Sequence, residues 1–543
     1  MPVVQKRENP TRVAVIGAGV SGLCAAKYLM AERHGAFPNQ EYFEVVVFDQ
    51  NAQAGGVWNQ TPADDPYATP IYPSCNTNVP RNMMEYSGVP YPEDTPLFPT
   101  NTAVAKYLHD YARELEDRGI IKYNSRVINI RRCQHQARNI WQVTVQLVGR
   151  GGGMEELKYY DDVIVVLGTF TKPHVPDKFE LRPGSRRDMN IMHSKYYRNA
   201  EDSRGEKVLI VGGGPSYWDM SSAIAEMSGA QVFVSVRNEP FVLSSLNQQK
   251  VPEVRSVSTR GKKVYFVGGK ELEVDIILLC TGYLYDFSMI PCVETSTEKK
   301  RVLSLYEHMI YINEKEDPTR QSPESSVFGR GQARQAGHST LAFVGLPTMD
   351  SVFLVAEAQS AFIARYFSGR IKMSTPYMQM VRNQKALEFD EQVTRGRKED
   401  GFHNLVYPRD AQYVDALFER CVQVEAPRDP GTGKTPVFHP LKLHWIRTPN
   451  GSEGGIGIIR RVYQITAKTF PSMHFPTVES LGFQFDINQA SSAERQKEEF
   501  MRGFQTLMEE KRERWANDYW SWKRGSDEWQ RKWDSLVRLG LGM

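Results

Sequence analysis

Two glycine-rich turns, each set between an apolar β-type run and a helical one, restrict what this chain can fold into more than any other feature. The first reads GAGVSG. An apolar run over 12–18 predicts a buried strand before it, helical periodicity follows over 20–33, and a second β-rich run occupies 44–50. That order is a strand-helix-strand unit. The second turn reads VGGGPSYWD, between a strand expected over 208–211 and a helix over 216–228, with a further strand over 231–236. Such units bury a parallel sheet between covering layers. The expected class is therefore α/β, with two Rossmann-like dinucleotide-binding domains.

Each residue of the first turn has a physical task. Gly17 permits the tight turn, Gly19 lets the backbone approach a pyrophosphate, Gly22 allows close helix packing, and the helix N-terminus favours phosphate charge. Asp49, at the end of the next strand, can accept hydrogen bonds from ribose hydroxyls. It lies beyond the usual spacing of about 20 residues, and a polar loop over 34–42 is expected to absorb the difference. In the second turn Gly212 and Gly214 are in place, but Tyr217 stands where a third glycine would fall. A tyrosine needs room, so either the helix sits further out or the ring points aside. The following strand ends in Arg237, whose guanidinium suits the 2'-phosphate of NADPH better than an acid would; the alternative is a surface arginine at a strand end.

Bulk properties narrow the class further. At 543 residues the chain exceeds one hydrophobic core. With 67 basic and 64 acidic residues, its net charge of +3 carries no nucleic-acid footprint. The start MPVVQKRENP has no secretory apolar run, and no stretch reaches the roughly 18 apolar residues of a membrane span, so a cytoplasmic enzyme without a transmembrane segment is expected. Six cysteines show no CxxC spacing, which argues against a disulfide relay. Only His439 and His444 are closely spaced histidines, without acidic or cysteine partners, so no metal is expected. There is no GxSxG elbow for hydrolysis. Buried strands are expected over 161–167 and 274–280, and an exposed insertion over 314–326. The stretch 491–539 opens with a capping box at Ser491 and Glu494 and holds Trp515, Trp520, Trp522, Trp529 and Trp533. It reads as a helical C-terminal segment docked on the main body, with partner or membrane-surface contact as the alternative.

The ordered set GAGVSG, GGVW (Gly55, Gly56, Val57, Trp58), CNTNVPRNMMEYSGVPYP, HSKYYR, VGGGPS and LLCTGY resembles the flavin-containing monooxygenases, class B flavoprotein monooxygenases, over about 12–369. The resemblance implies an FAD turn at Gly17, Ala18, Gly19, Val20, Ser21 and Gly22, with Asp49 at the ribose and Val57 and Trp58 as further FAD contacts. It places Thr77, Asn78 and Val79 beside flavin and nicotinamide, Asn78 helping to hold the oxygenated flavin. Gly212, Gly214, Ser216, Tyr217, Trp218, Asp219, Ser235 and Arg237 fall where the family binds NADPH, and Thr281 and Gly282 form its later Thr-Gly turn. His193 and Tyr197 keep the HxxxY core of the family fingerprint. Arg187 and Met189 stand where phenylalanine and glycine are expected, and Pro183 and Gly184 look like the glycine turn displaced by an insertion. His193 reads as conformational rather than catalytic.

The implied reaction transfers one atom of dioxygen, through a flavin hydroperoxide, to a soft nitrogen or sulfur of a small molecule. Baeyer-Villiger oxidation of a ketone is the nearest rival, disfavoured because the related fingerprint carries tryptophan in place of Tyr197. A nucleotide-binding flavoprotein without oxygenase activity is the third reading. The motif order implies an FAD domain over 1–204 and 304–490, interrupted by an NADPH domain over 205–303, with the helical segment at 491–543. Homo-oligomerisation is left open.

Overall fold

The computed structural model describes residues 10–422, less 35–36, 136–137, 150–152, 180–188, 237–247, 313–337, 350, 397–400 and 406–408, together with Val424 and Tyr463. The segments 314–326 and 491–543 and the residues Pro183, Gly184, Arg187, Arg237, His439 and His444 lie outside the described residues.

A seven-stranded sheet is centred on Thr11–Ile16. This strand pairs in parallel with Phe43–Phe48 on one side, Val13 opposite Val45, and with Asp162–Val165 on the other, Val15 opposite Ile164. Ile121–Lys122 extends one side, and Leu341–Phe343 adds in parallel beside Asp162–Val165. The two-residue strands Ile310–Tyr311 and Leu305–Tyr306 close that edge in antiparallel register. The run TRVAVI serves both faces because strand side chains alternate. Val13 and Val15 pack with the helices Val20–Ala31 and Val352–Phe367, while Ala14 and Ile16 pack with Val127, Ile130, Trp141 and Val143. The latter come from an antiparallel sheet of Ser125–His135, Arg138–Leu147 and Glu155–Tyr160. Every residue from Phe353 to Phe367 is buried, so this helix is a core element. Its Glu357 carboxylate is satisfied by the Ser87 amide and hydroxyl, each at 2.9 Å, as a buried charge requires.

A second sheet runs Asn190–His193, Ile276–Leu279, Lys207–Val211, Gln231–Ser235, Gln248–Val251, all parallel. Val208, Ile210, Val232 and Val234 face the helix Pro215–Ala223. Leu209, Phe233, Ile277 and Leu279 face the small antiparallel sheet Val254–Ser258, Lys263–Phe266, Glu271–Glu273. The chain leaves the first sheet through Lys172–Pro173 and returns through Tyr283–Leu284, and these two crossings pair with each other in antiparallel register. A Lys172–Asp286 ion pair at 3.2 Å flanks that ribbon.

The fold is thus α/β with two Rossmann-type units, as the glycine turns require. Two local readings need correction. The polar stretch 34–42 holds a hairpin of Arg33–His34 with Phe37–Glu41 rather than an irregular loop, because a hairpin pairs backbone groups that a loop must leave to water. The helix expected over 216–228 is α-helical only over Pro215–Ala223 and ends as a π-turn over Ile224–Ser228, closed by Gly229 at φ 66°.

Candidate functional site

Gly17, Asp49, Gly212 and Ser235 stand at the carboxyl ends of parallel strands, where open α/β sheets bind ligands. At the first turn Gly17 adopts φ +115°, and a Cβ there would meet the Val166 carbonyl oxygen at 2.6 Å. A Cβ on Gly22 would fall 1.8 Å from the Gly17 carbonyl oxygen. Neither position tolerates a side chain. Gly19 begins the helix, and Gly56 comes so close that its own Cβ would lie 2.9 Å from the Gly19 Cα. Asp49 is buried, with Oδ2 accepting the Ala18 amide at 2.7 Å and Oδ1 the Asn51 amide at 2.8 Å. Burial pushes its carboxyl above the ordinary range, and those two amides work against the rise. Each oxygen keeps an acceptor direction for a ribose hydroxyl.

The helices that follow the two glycine turns, Val20–Ala31 and Pro215–Ala223, have no side-chain cap and no acid in the first turn. Val352–Phe367 is likewise uncapped, whereas Asn101–Asp117 and Thr375–Thr394 are capped by Thr100 and Ser374. An uncapped N-terminus leaves amide donors and a positive dipole end for a phosphate. The glycine turns therefore fit dinucleotide phosphates in both shape and charge.

Val57 and Trp58 lie on the short helix Gly56–Trp58, which Gly55 enters at φ 116°. Asn59 clasps this turn by donating to the Ala54 carbonyl at 2.6 Å, and His109 Nε2 lies 3.0 Å from its Oδ1. Further on, Thr77 is buried, its amide donating to the Pro99 carbonyl at 2.9 Å and its hydroxyl to the Val79 carbonyl at 2.8 Å. Val79 is buried as well, and Asn78 between them is exposed. Local backbone bonding thus fixes where the Asn78 amide stands.

At the second turn Gly212 adopts φ +134°, and a Cβ would meet the Cys280 carbonyl oxygen at 2.1 Å, so this turn hugs its neighbouring strand as tightly as the first. Gly214 is the N-cap residue, followed by Pro215 in the first helical turn. Ser216 is half-buried and Trp218 exposed, while Tyr217 is 2% exposed. Its ring turns aside into a cluster with Tyr72 and Tyr197, the second of the two outcomes the sequence allows. The Ser235 hydroxyl donates to the Pro252 carbonyl at 2.9 Å and keeps its lone pairs.

Thr281 and Gly282 tie the crossings together. The Thr281 hydroxyl donates to the His174 carbonyl, and the Gly282 carbonyl accepts both the His174 amide and His193 Nε2, each at 2.9 Å. His193 Nδ1 accepts the Lys195 amide at 3.1 Å. One ring nitrogen donates and the other accepts, which is the neutral imidazole. Burial holds its pKa down to about 4. A neutral, doubly engaged histidine linking Asn190–His193 to the Thr-Gly turn is a latch, in keeping with a conformational role.

A family model described as flavin-binding monooxygenase-like matches residues 10–266. Flavin-containing monooxygenase FMO GS-OX3 of Arabidopsis thaliana is 30% identical over 403 residues, covering 69% of this chain and 77% of that protein. The chain belongs to the flavin-containing monooxygenase family. Flavin-containing monooxygenase ustF2 of Aspergillus flavus is 26% identical, over 75% of this chain and 92% of that one. Among solved structures, S-allyl-L-cysteine S-oxygenase from Allium sativum shares the fold with a TM-score of 0.60 at 22% identity, over 91% of this chain and 99% of that one. Membership makes this chain a flavin-binding oxidoreductase. Among the described residues no helix is long and apolar enough to cross a membrane, and no three metal-ligating side chains are grouped to hold an ion.

Three contributors escaped the sequence reading. Gly345, at φ +78°, turns the chain beyond Leu341–Phe343 so closely against Ser21 that a Cβ would meet its Oγ at 2.4 Å. Its amide is held by Gln359 at 2.8 Å. The run LAFVG, an apolar strand ending in glycine, carried the signal. Asn59 and Tyr72 gave none, since both act through contacts distant in sequence.

Proposed function

We propose that this flavin-containing monooxygenase binds FAD at the first glycine turn and NADPH at the second, and transfers one oxygen atom of dioxygen to a soft nitrogen or sulfur of a small molecule. The observation that carries the reading is the pair of uncapped helix N-termini at the carboxyl edges of two sheets, with Asn78 exposed on a loop braced between buried Thr77 and Val79. In this reading the first sheet with its covering layers is the FAD domain and the second sheet the NADPH domain, with the boundaries moved from 204 and 303 to the crossings at Lys172–Pro173 and Tyr283–Leu284, because Asn190–His193 pairs in the second sheet and Phe287 to Val302 pack on the first.

Bound flavin and nicotinamide supply hydride transfer and the activation of dioxygen. The chain's own residues position and shield. Gly19, Val20, Ser21 and Gly22 would present backbone amides to the FAD phosphates, Gly17 and Ala18 would shape the turn with their own amides held by the Phe48 carbonyl and Asp49, and Asp49 would accept from the ribose. Val57 and Trp58 border the same cofactor. Gly212, Gly214, Ser216, Trp218 and Asp219 line the second turn, with Ser235 at the neighbouring strand end. Asn78 offers one group that donates and accepts without titrating, so it holds a polar partner and delivers no proton. The buried Thr77 and Val79 fix the backbone from which that exposed side chain projects.

Mixing the oxidised holoprotein anaerobically with NADPH should bleach the flavin absorbance. Aerobic turnover with an amine, a thioether and a ketone, read by mass spectrometry, should then give an N-oxide or sulfoxide. Ester from the ketone alone would assign Baeyer-Villiger chemistry instead, and a flavin that NADPH never reduces would remove the monooxygenase reading.

A further inference from the structure

We propose that Tyr217, with Tyr72 and Tyr197, forms an interdomain clamp that fixes the Asn78 loop relative to the nicotinamide-side helix, so that Tyr217 is a positioning residue for flavin reduction. The inference rests on the assignment of the two turns given above and extends it.

Tyr217 stands where the nucleotide turn would otherwise carry its third glycine, yet the turn itself is not loosened. Gly212 remains in close contact with Cys280, and the helix starts at Pro215. The ring has moved into a buried cluster whose other aromatic members come from outside the second sheet. Tyr72 belongs to the loop leading to Thr77 and Asn78, and Tyr197 to the HSKYYR segment. Tyr72 and Tyr197 meet edge to face at 5.2 Å, the favourable geometry for two aromatic quadrupoles. The Tyr72 hydroxyl donates to Asp219 Oδ2 at 3.4 Å, two residues along the helix from Tyr217. The loop therefore reaches this helix by a direct bond at Asp219 and by packing in the cluster that holds Tyr217.

On its other side the clamp is bound to the first unit through backbone. The Tyr72 carbonyl accepts Asn101 Nδ2 at 2.8 Å and the Cys75 amide at 3.0 Å, and the Cys75 carbonyl accepts the Asn101 amide at 3.0 Å. Thr77 then donates to Pro99 at 2.9 Å. From Tyr72 to Thr77 the loop is thus stapled to the start of the helix Asn101–Asp117, and Asn78 follows directly. A shift of the nicotinamide-side helix reaches Asn78 through one tyrosine ring and a stapled loop. A small third residue would leave that helix gripped at Asp219 alone.

The test uses the full flavin-bound chain and the variants Y217A, Y217F and Y72L. In hydrogen exchange without nicotinamide, Y217A should raise exchange of the Cys75, Thr77 and Asn101 amides at least about tenfold, leaving the Thr11–Ile16 strand unchanged. Y217F, which keeps the ring, should match the parent. In anaerobic mixing, Y217A should lower the limiting rate of flavin reduction about tenfold, shift the half-saturating NADPH concentration less than about threefold, and again be rescued by Y217F. Y72L cuts the clamp from the loop side with the backbone staples intact, and reads the same if Y217A does not fold. Exchange in Y217A or Y72L identical to the parent overturns the clamp. If the parent flavin is not reduced by NADPH, the functional reading fails on its own, and the exchange result still decides the clamp.

Discussion

The two glycine turns begin alike and end differently. In both, the first glycine lies against a neighbouring carbonyl so closely that no side chain fits, and in both the helix is uncapped. At the third position the first turn keeps Gly22, pressed on Gly17, whereas the second places Tyr217 and directs it to Tyr72 and Tyr197. The first turn is closed by residues around the first sheet, with Asp49, the Gly55–Gly56 pair, Val166 and Gly345 completing it. The second also draws in Tyr72 from the other unit. Contact at the first glycine is therefore what a nucleotide turn cannot give up, and the third position is free to take on another task if its side chain finds a new neighbourhood.

Substitutions can break that contrast. Gly22→Val should have the largest effect, since even its Cβ would overlap the Gly17 carbonyl oxygen; we expect a loss of about 3 kcal/mol or more and protein that purifies without flavin. Flavin retained at full occupancy would show the first turn to be as tolerant as the second. Gly212→Ala should spare the flavin but displace the second turn from Cys280, slowing NADPH-driven reduction by about 100-fold, measured by anaerobic stopped flow.

Acid should act on the second unit through its latch. His193 is held near 4 against an ordinary value of 6.5, so the unfolded chain takes up the proton first. The stability it contributes is complete above about pH 6.5 and is lost as pH falls toward 4. Between pH 7 and 4.5 this amounts to about 2–3 kcal/mol, and the buried pair His308 and His403, also held low by burial, adds to the same slope. Urea titrations of the parent and His193→Gln should converge by about that amount as pH is lowered; parallel curves would remove the latch. The smallest effect belongs to Gly214→Ala. Its Cβ would meet nothing within 4 Å, so stability should fall by no more than about 1 kcal/mol, the loss of a favoured N-cap residue, while half-saturating NADPH rises roughly three- to tenfold. An unchanged value would mean that the nucleotide does not approach Gly214.

Local patterns carried much of this into view. The strands beside both turns and the glycines themselves were legible because burial on two faces leaves continuous apolar runs and tight contact admits only glycine. The Asn190–His193 strand and the partners of Tyr72, Asn59 and Gly345 were not, because their roles arise where residues far apart in sequence meet. Tyr217 shows the boundary well. Its misfit was plain from spacing alone, and its destination was visible only once Tyr72 and Tyr197 stood beside it.

The pairing of Leu341–Phe343 with Asp162–Val165 also bears on how the protein is made. About 175 residues separate these strands, and at 5–20 residues per second a ribosome needs about 9–35 s to supply the missing partner. During that interval the second sheet, whose strands follow one another more closely, can form while the first presents a bare apolar edge. We expect nascent chains arrested after Val251 to protect the first sheet poorly from protease, and chains arrested beyond Phe367 to protect it well. The nested order of the two units would make the earliest-synthesised sheet the last to close, and its open edge the point at which this chain calls on a chaperone.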